Sequence, residues 1–429
     1  MDASAALVNA VQKDDVEGAT LCLTRYPELL ARLNDPLPGL PFDGTLLLAA
    51  VWRRSKPMIE LLLANGANIN QRSHWWAGGF GVLDGDHGLA DFLIARGALV
   101  DIHAASRLGR SETIRALLAE DRSRVHARGG DGQTPLHVAA NVEVAALLVD
   151  GGADVNARDV DHESTAAQYA IRERQDVARY LVGHGSATDL LMACALGDLD
   201  LARKHLDADP QSIAITVSAD DFPMANPRAG GTIYIWTLGH AKSAYAVARD
   251  FGHEDVLRLL IERSPHELAV AAACEVGDEN LLRTLLNTGA IDPPRLNARL
   301  VRKIVEAAEA NDTRAVGLLL LAGWPVGAIG KHGATALHFG AWHGNADLVR
   351  ETLTQGPSLE TRDHDFDLTP LGWAFHGSLH GPNRDRGNYA AVVEALLSAG
   401  AVVPGGAGAV EASEPVRDVL RRWRSDRGG

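Results

Sequence analysis

Five segments of this chain repeat one short phrase, and the repetition limits the folds open to it more than any other feature. They are Asp43-Gly-Thr-Leu-Leu-Leu-Ala-Ala50, Asp131-Gly-Gln-Thr-Pro-Leu-His-Val-Ala-Ala140, Thr165-Ala-Ala-Gln-Tyr-Ala170, Gly333-Ala-Thr-Ala-Leu-His-Phe-Gly-Ala341 and Thr369-Pro-Leu-Gly-Trp-Ala374. A second phrase follows at a near-fixed distance, as in Leu61-Leu-Leu-Ala-Asn-Gly-Ala-Asn-Ile-Asn70, Leu147-Leu-Val-Asp-Gly-Gly-Ala-Asp-Val-Asn156 and Leu396-Leu-Ser-Ala-Gly-Ala401. Thr134 and Thr165 stand 31 residues apart, and Thr335 and Thr369 stand 34 apart. Such a period marks a unit that cannot bury its apolar face alone and therefore stacks on its neighbours. The 429 residues would otherwise suggest about three globular domains. The repeat favours one array instead.

Local chemistry says what each unit is. Thr followed by Pro opens a helix, by side-chain capping and by a preset backbone angle. Small Ala residues let the next helix approach closely. Leu pairs at helical spacing bury a second helix. Gly66, Gly152 and Gly323 end that helix. Units begin near residues 3, 42, 73, 101, 129, 159, 189, 220, 266, 298, 330 and 363, about twelve in all. Residues 1–404 read as the array, and 405–429 as a Gly-rich linker followed by a capping helix, Glu414 to Arg424.

The order T-P-L-H, A-A, L-L-x-x-G-A and V-N-A/R-D resembles the ankyrin repeat, over nearly the whole chain. The resemblance implies an all-α solenoid of helix-turn-helix units with a concave binding face, lined by fingers and by the first helices. Two stretches break the period. Residues 73–88 run through Ser73-His-Trp-Trp-Ala-Gly-Gly-Phe80 where a first helix belongs. Residues 216–242 form a longer insert. In it, Thr232 to Leu238 alternates β-branched and aromatic residues, which predicts a strand or extended finger. Insertions of this kind resemble those of bacterial ankyrin-repeat proteins. Long loops inside compact arrays are uncommon and often functional.

Composition excludes several classes. Net charge is −14, which argues against a phosphate-neutralising surface and hence against nucleic acid as partner. The N-terminus lacks a basic region and a long apolar core, and the apolar run Ala315 to Trp324 is too short for a bilayer. Cys22, Cys194 and Cys274 are far apart and read as small buried thiols. A cytoplasmic protein with no membrane partner is expected.

The 8 Trp among few aromatics are the main functional clue. Placing first-helix and finger positions on the implied groove brings out Trp52, Trp75, Trp76, Arg107, Tyr169, Arg172, Trp236, Trp342, His343, Trp373 and His376 as ligand-binding candidates. Large solvent-facing aromatics bury well only when something covers them. The competing reading is that the inserts fold over their own Trp residues. His137 and His338, in the T-P-L-H position, are expected to tie neighbouring loops, and His103 likewise.

No P-loop, dinucleotide fingerprint, G-x-S-x-G or H-E-x-x-H is present, and neither a metal site nor a cofactor is assigned. His376 and His380 would share a helix face, but Gly377, Gly381 and Pro382 argue against that helix. The finger Asp159-x-Asp161-His162 carries groups suited to binding a cation or to acid–base work, and Asp221 lies in the longer insert. Two functions follow. One is a binding protein whose aromatic and His-lined groove holds a protein segment or small-molecule ligand. The other is an enzyme on the same scaffold, with Asp161, His162 and Asp221 acting on an apolar or cationic molecule in a pocket of Trp75, Trp76, Trp236, Tyr169 and Trp342 closed by the inserts.

Overall fold

Paired helical segments appear where the two phrases occur. In the computed structural model, which describes residues 3–37, 39–85, 88–403 and 410–425, the structure is all-α and no strand occurs among the described residues. The expected linker from Gly405 lies largely outside them, as do residues 86–87 of the first insert.

The cause of each pair is visible at its ends. Thr45 caps the helix Leu46–Trp52, accepting from the Leu48 amide, and Ser55 caps Lys56–Ala64 through the Met58 amide. Asn141, Asp189, Asp198, Asp278, Asp312 and Asn345 do the same for later helices. Each cap is worth about 1 kcal/mol. Gly152, at φ 101°, ends its helix in the left-handed region, where its Ala153 amide turns back to the Leu148 carbonyl.

The chain divides into two compact units, described separately. The first comprises Met1–Asp209 and Ile215–Ser243. Its N-terminal core gathers Leu7, Leu23, Leu48, Met58, Leu62 and Leu93. The unit expected from residue 73 has no first helix and only the short Ala90–Ile94 as its second. In the unit after it but one, the first helix shrinks to a 3-10 turn, Pro135–Val138. The second unit comprises Pro210–Ala214 and Ala244–Gly429. Its core runs from Val270 through Leu319, Leu337 and Trp373 to Leu396 and Leu420. Trp324 is buried there and donates its indole N–H to the Leu300 carbonyl at 2.8 Å. The helix Glu414–Ser425 buries Val416, Val419 and Leu420 against Tyr389–Ala399.

Three expectations need correction. The alternating run Thr232 to Leu238 is a helix, Tyr234–Thr237, not a strand. No edge offers it a ladder. The Tyr234 ring is instead fully buried, with its hydroxyl donating to Asp189 at 2.9 Å, and the Gly239 amide closes the turn on the Tyr234 carbonyl. The unit expected from residue 220 begins its first helix only at Ala244, after the insert, whose base is closed by a bridge between Thr216 and Ser243. Finally, Pro370–His380 is one continuous helix, so His376 and His380 do face each other, with rings 4.6 Å apart. Gly377 fits because the helix passes so close to its neighbour that a Cβ would stand 2.9 Å from the Trp342 carbonyl oxygen.

Candidate functional site

Two sites emerge, one in each unit. In the first unit both inserts end on the same pair of finger tips. The first insert is a small loop: the Ser73 amide bonds the Phe80 carbonyl at 2.9 Å, and its hydroxyl accepts from the Phe80 amide at 2.9 Å. Its Gly78 carbonyl accepts from the Asp131 amide at 3.2 Å. Trp75 packs on Phe42, which also touches Trp52 and Phe80. Trp52 thus packs against Phe42 of its own finger, and the insert's Trp75 and Phe80 cover that Phe42 ring.

The longer insert docks on the next finger. The Gly230 amide bonds the Asp161 carbonyl at 2.9 Å, the Ile233 amide bonds the Ser164 hydroxyl at 3.1 Å, and Glu163 accepts from the amides of Ala225 and Asn226. Arg172 donates to the Thr237 carbonyl. The two inserts meet where the Arg228 guanidinium lies over the Trp76 ring, 4.6 Å from its centroid.

Between these tips sit Asp131, Asp161 and His162, all buried. The His162 Nδ1 lies 2.8 Å from the Gly231 carbonyl, so that nitrogen carries the proton and Nε2 faces the carboxylates. Nε2 stands 3.6 Å from Asp161 Oδ2 and 4.0 Å from Asp131 Oδ2. The imidazole packs against Trp236 and Tyr169 at 4.6 and 6.1 Å. Burial, with Asp161 and Asp159 close by, pushes the Asp131 carboxyl up to about 6 against the opposing pull of His162. The Trp75 indole N–H faces Asp131 without reaching hydrogen-bond geometry. Asp159 plays another part. It accepts from the amides of His162 and Ser164 and from the Tyr169 hydroxyl, fixing the turn. Asp221 likewise binds the Thr216 amide at 2.8 Å and the Thr216 and Ser218 hydroxyls. A cavity of about 280 Å³ brings Asp221 and His162 onto one wall, together with Arg158, Gln168, Asp189 and Phe222.

In the second unit a cavity of about 660 Å³ is lined by Phe339, Trp342, His343, Phe366, Trp373 and His376, with Glu309, Lys331 and His332 at its polar edge. Trp342 stacks on His376 at 14° and 5.8 Å, and meets Trp373 edge-on at 6.2 Å. Trp373 is held by its indole N–H to Asp363 at 2.9 Å. His343 Nε2 donates to the Glu309 carbonyl at 2.9 Å, leaving Nδ1 a buried acceptor that no protein group meets.

The family follows from these units together with the comparisons. Residues 102–191 match the family model described as ankyrin repeats (3 copies). The chain is an ankyrin-repeat protein. It is 27% identical over 346 residues to human Rabankyrin-5, covering 78% of this chain and 24% of that protein. It is 29% identical over 122 residues to rat "Ankyrin repeat and SAM domain-containing protein 6", covering 28% of the chain and 14% of the relative. With the Arabidopsis thaliana serine/threonine-protein kinase VIK it shares 36% over 95 residues, 21% of each. The matches therefore span less than a quarter of each relative. Its fold class is the all-α ankyrin solenoid, and ankyrin repeats generally mediate protein–protein binding.

Of the candidates in this ankyrin-repeat chain, Trp75, Tyr169, Trp236, Asp161 and His162 come together in the first unit. Trp342, His343, Trp373 and His376 come together in the second. Arg107 is half-buried beside Arg174, whose guanidinium burial and this neighbour bring down to about 10. Two contributors were given no role from the sequence, Asp131 and Phe366. The available signal for Asp131 was its 30-residue spacing from Asp161, which puts both at successive finger tips. No helix among the described residues is long and apolar enough to cross a membrane.

Proposed function

We propose that this chain is a binding protein whose second unit holds an apolar or aromatic side chain of a protein segment against Trp342, Trp373 and His376. The supporting observation is the cavity of about 660 Å³ with that lining, within the range of about 300–1,000 Å³ where ligand sites fall. Its walls are rigid: Trp373 is pinned through Asp363, and Trp342 is wedged between Trp373 and His376. Phe366, 64% exposed on the neighbouring finger, is a further apolar contact for the incoming segment.

Acid–base catalysis at Asp161 and His162 finds less support. The cavity touching His162 is walled by Arg158, Gln168 and Asp189 rather than by the expected tryptophans, and Trp342 belongs to the other unit.

Peptides selected on the wild-type chain from a displayed library test the groove. Selected peptides should lose about 2 kcal/mol or more, roughly 30-fold in affinity, with Trp342→Ala, as buried aromatic anchors do. They should bind Trp52→Ala like the wild type. Affinities unchanged in both Trp342→Ala and His376→Ala would reject the groove.

A further inference from the structure

We propose that Asp131, Asp161 and His162 form a binding site for one divalent transition-metal ion, of which Zn²⁺ is the working probe. The site is independent of the groove in the second unit and uses none of its residues.

Geometry is the first argument. One ligating atom from each of the three residues lies within 4.8 Å of the others, and two of the separations are the 3.6 and 4.0 Å already given from His162 Nε2. Bonds of about 2.0–2.2 Å to nitrogen and oxygen place neighbouring donors on one ion roughly 3.3 Å apart. The two donor pairs at 3.6 and 4.0 Å therefore need to close by about 0.3 and 0.7 Å, and the two carboxylates, within 4.8 Å of each other, by at most about 1.5 Å. A direct charge-assisted hydrogen bond from imidazolium to carboxylate would instead bring the atoms to about 2.7–2.9 Å. The gap is too wide for a shared proton and close to the edge of a coordination polyhedron.

The second argument is the tautomer. Nδ1 donates to the Gly231 carbonyl, so Nε2 is the nitrogen turned toward the two carboxylates and the one left to ligate. A metal ion bound there takes the place of an Nε2 proton and offsets the charge of both carboxylates. A backbone carbonyl holding the other ring nitrogen is also the usual outer-shell support of a metal-bound His.

Asp131 supplies an independent third argument. It is only 9% exposed, and its Oδ1 has no hydrogen-bond partner. Among the described residues no Lys or Arg pairs with Asp131 or Asp161 within 4 Å. An unpartnered buried carboxylate is costly, and coordination removes that cost. By contrast, Asp159 is saturated by two amides and a hydroxyl, so it positions the finger rather than ligating.

The surroundings fit a built site. The Asp131 amide is held by Gly78 of the first insert, and the Asp131 carbonyl accepts from the amides of Val160 and Asp161. Gly230 of the longer insert lies so near that a Cβ there would stand 3.1 Å from Asp161 Oδ2 and 3.3 Å from the His162 ring. One imidazole with two carboxylates favours Zn²⁺, Mn²⁺ or Fe²⁺ over Ca²⁺ and Mg²⁺, which prefer all-oxygen shells. Three protein donors also leave a position open to water or ligand. An ion here would join both finger tips, and through them both inserts.

The test is a Zn²⁺ titration of the full chain, stripped with chelator and run against a chromophoric competitor. One tight equivalent is expected, insensitive to millimolar Mg²⁺ or Ca²⁺. Asp131→Asn and His162→Gln should each weaken it by about 100-fold or more, since losing an outer-shell partner alone costs about 10–100-fold. His376→Ala should leave it intact. Cu²⁺ loaded at one equivalent into the wild-type chain reads the donor set without any variant, and its electron paramagnetic resonance should show a single coordinated imidazole. No stoichiometric Zn²⁺ binding, tight binding that survives both substitutions, or two coordinated imidazoles would overturn the site.

Discussion

His137 shows how a residue in a repeat can look catalytic and be structural. Its Nδ1 accepts from the Thr134 amide at 3.1 Å, and its Nε2 donates to the Ser164 carbonyl at 3.0 Å. His338 repeats this with Thr335 and Leu368, and His103 reaches the Gln133 carbonyl. Such roles were readable from the phrase T-P-L-H, because the capping geometry is local. Burial pushes the His137 imidazole down to about 4, against the opposing Ser164 bond, and the charged neighbours Arg128 and Arg174, with His103, push the same way as burial. An unfolded His titrates near 6.5. Between those two values the unfolded chain takes up a proton that the folded chain refuses. Stability therefore falls as pH drops from about 6.5 to about 4, by about 3 kcal/mol at most, and is flat for this group outside that window. The following repeat does the same job with Gln168, whose Oε1 accepts from the Thr165 amide at 2.8 Å. His137→Gln should thus keep the cap and cost about 1 kcal/mol at pH 7 through the altered Ser164 bond. Urea titrations across pH should show its deficit shrinking and reversing toward pH 4. A deficit constant with pH would mean the imidazole is not held neutral.

At the scale of elements, the two inserts are clamps and not loose loops, and the clamping depends on glycine. Gly78 has φ 139°, and a Cβ there would stand 2.2 Å from the Gly129 carbonyl oxygen and 2.8 Å from the Gly132 amide nitrogen. Both are backbone atoms that cannot rotate away. Gly78→Ala should cost about 2–3 kcal/mol and shift Trp75 and Trp76 emission to the red as the insert lifts. Gly183, in open space near the end of Gln175–Gly183, is the control, and its change to Ala should be neutral or stabilising by under about 1 kcal/mol. Equal costs for the two would remove the clamp. The helix pairs were legible in the sequence because caps, Leu spacing and Gly stops act within one unit. The inserts were legible as interruptions, not as shapes. Thr232 to Leu238 has strand chemistry, yet the buried Tyr234 ring and its bond to Asp189, 45 residues away, decide for a helix. Asp131 was hidden for the same reason. It stood in a phrase whose turn chemistry explained it, and the role proposed for it needs Asp161 and His162 from the next finger and covers from two inserts. The Trp342–Trp373–His376 wall was easier, since repeat register alone places those rings on neighbouring first helices.

Over the molecule, a net charge of −14 favours cationic segments over anionic ones, and under the proposed function specificity would come from the cavity walls. Stability in a repeat stack is a sum of unit terms and nearest-neighbour contacts, so damage stays close to where it is made. The helix Val142–Asp150 of the first unit packs on Ser111–Glu120 before it and Gln175–Gly183 after it. Leu148, in its last turn, is fully buried. Leu148→Ala should therefore cost about 2–5 kcal/mol locally, through lost burial and the cavity it leaves. Amide exchange should show that loss of protection in these three helices, while Leu46–Trp52 and Lys56–Ala64 in the same unit change little. The adjoining finger Gly129 to Gly132 sits next to the damaged helix pair, so it should open with it and carry Asp131 away from His162. Uniform loss of protection across the first unit would instead show that the inserts, by bridging two fingers, have turned a stack of neighbours into one cooperative block.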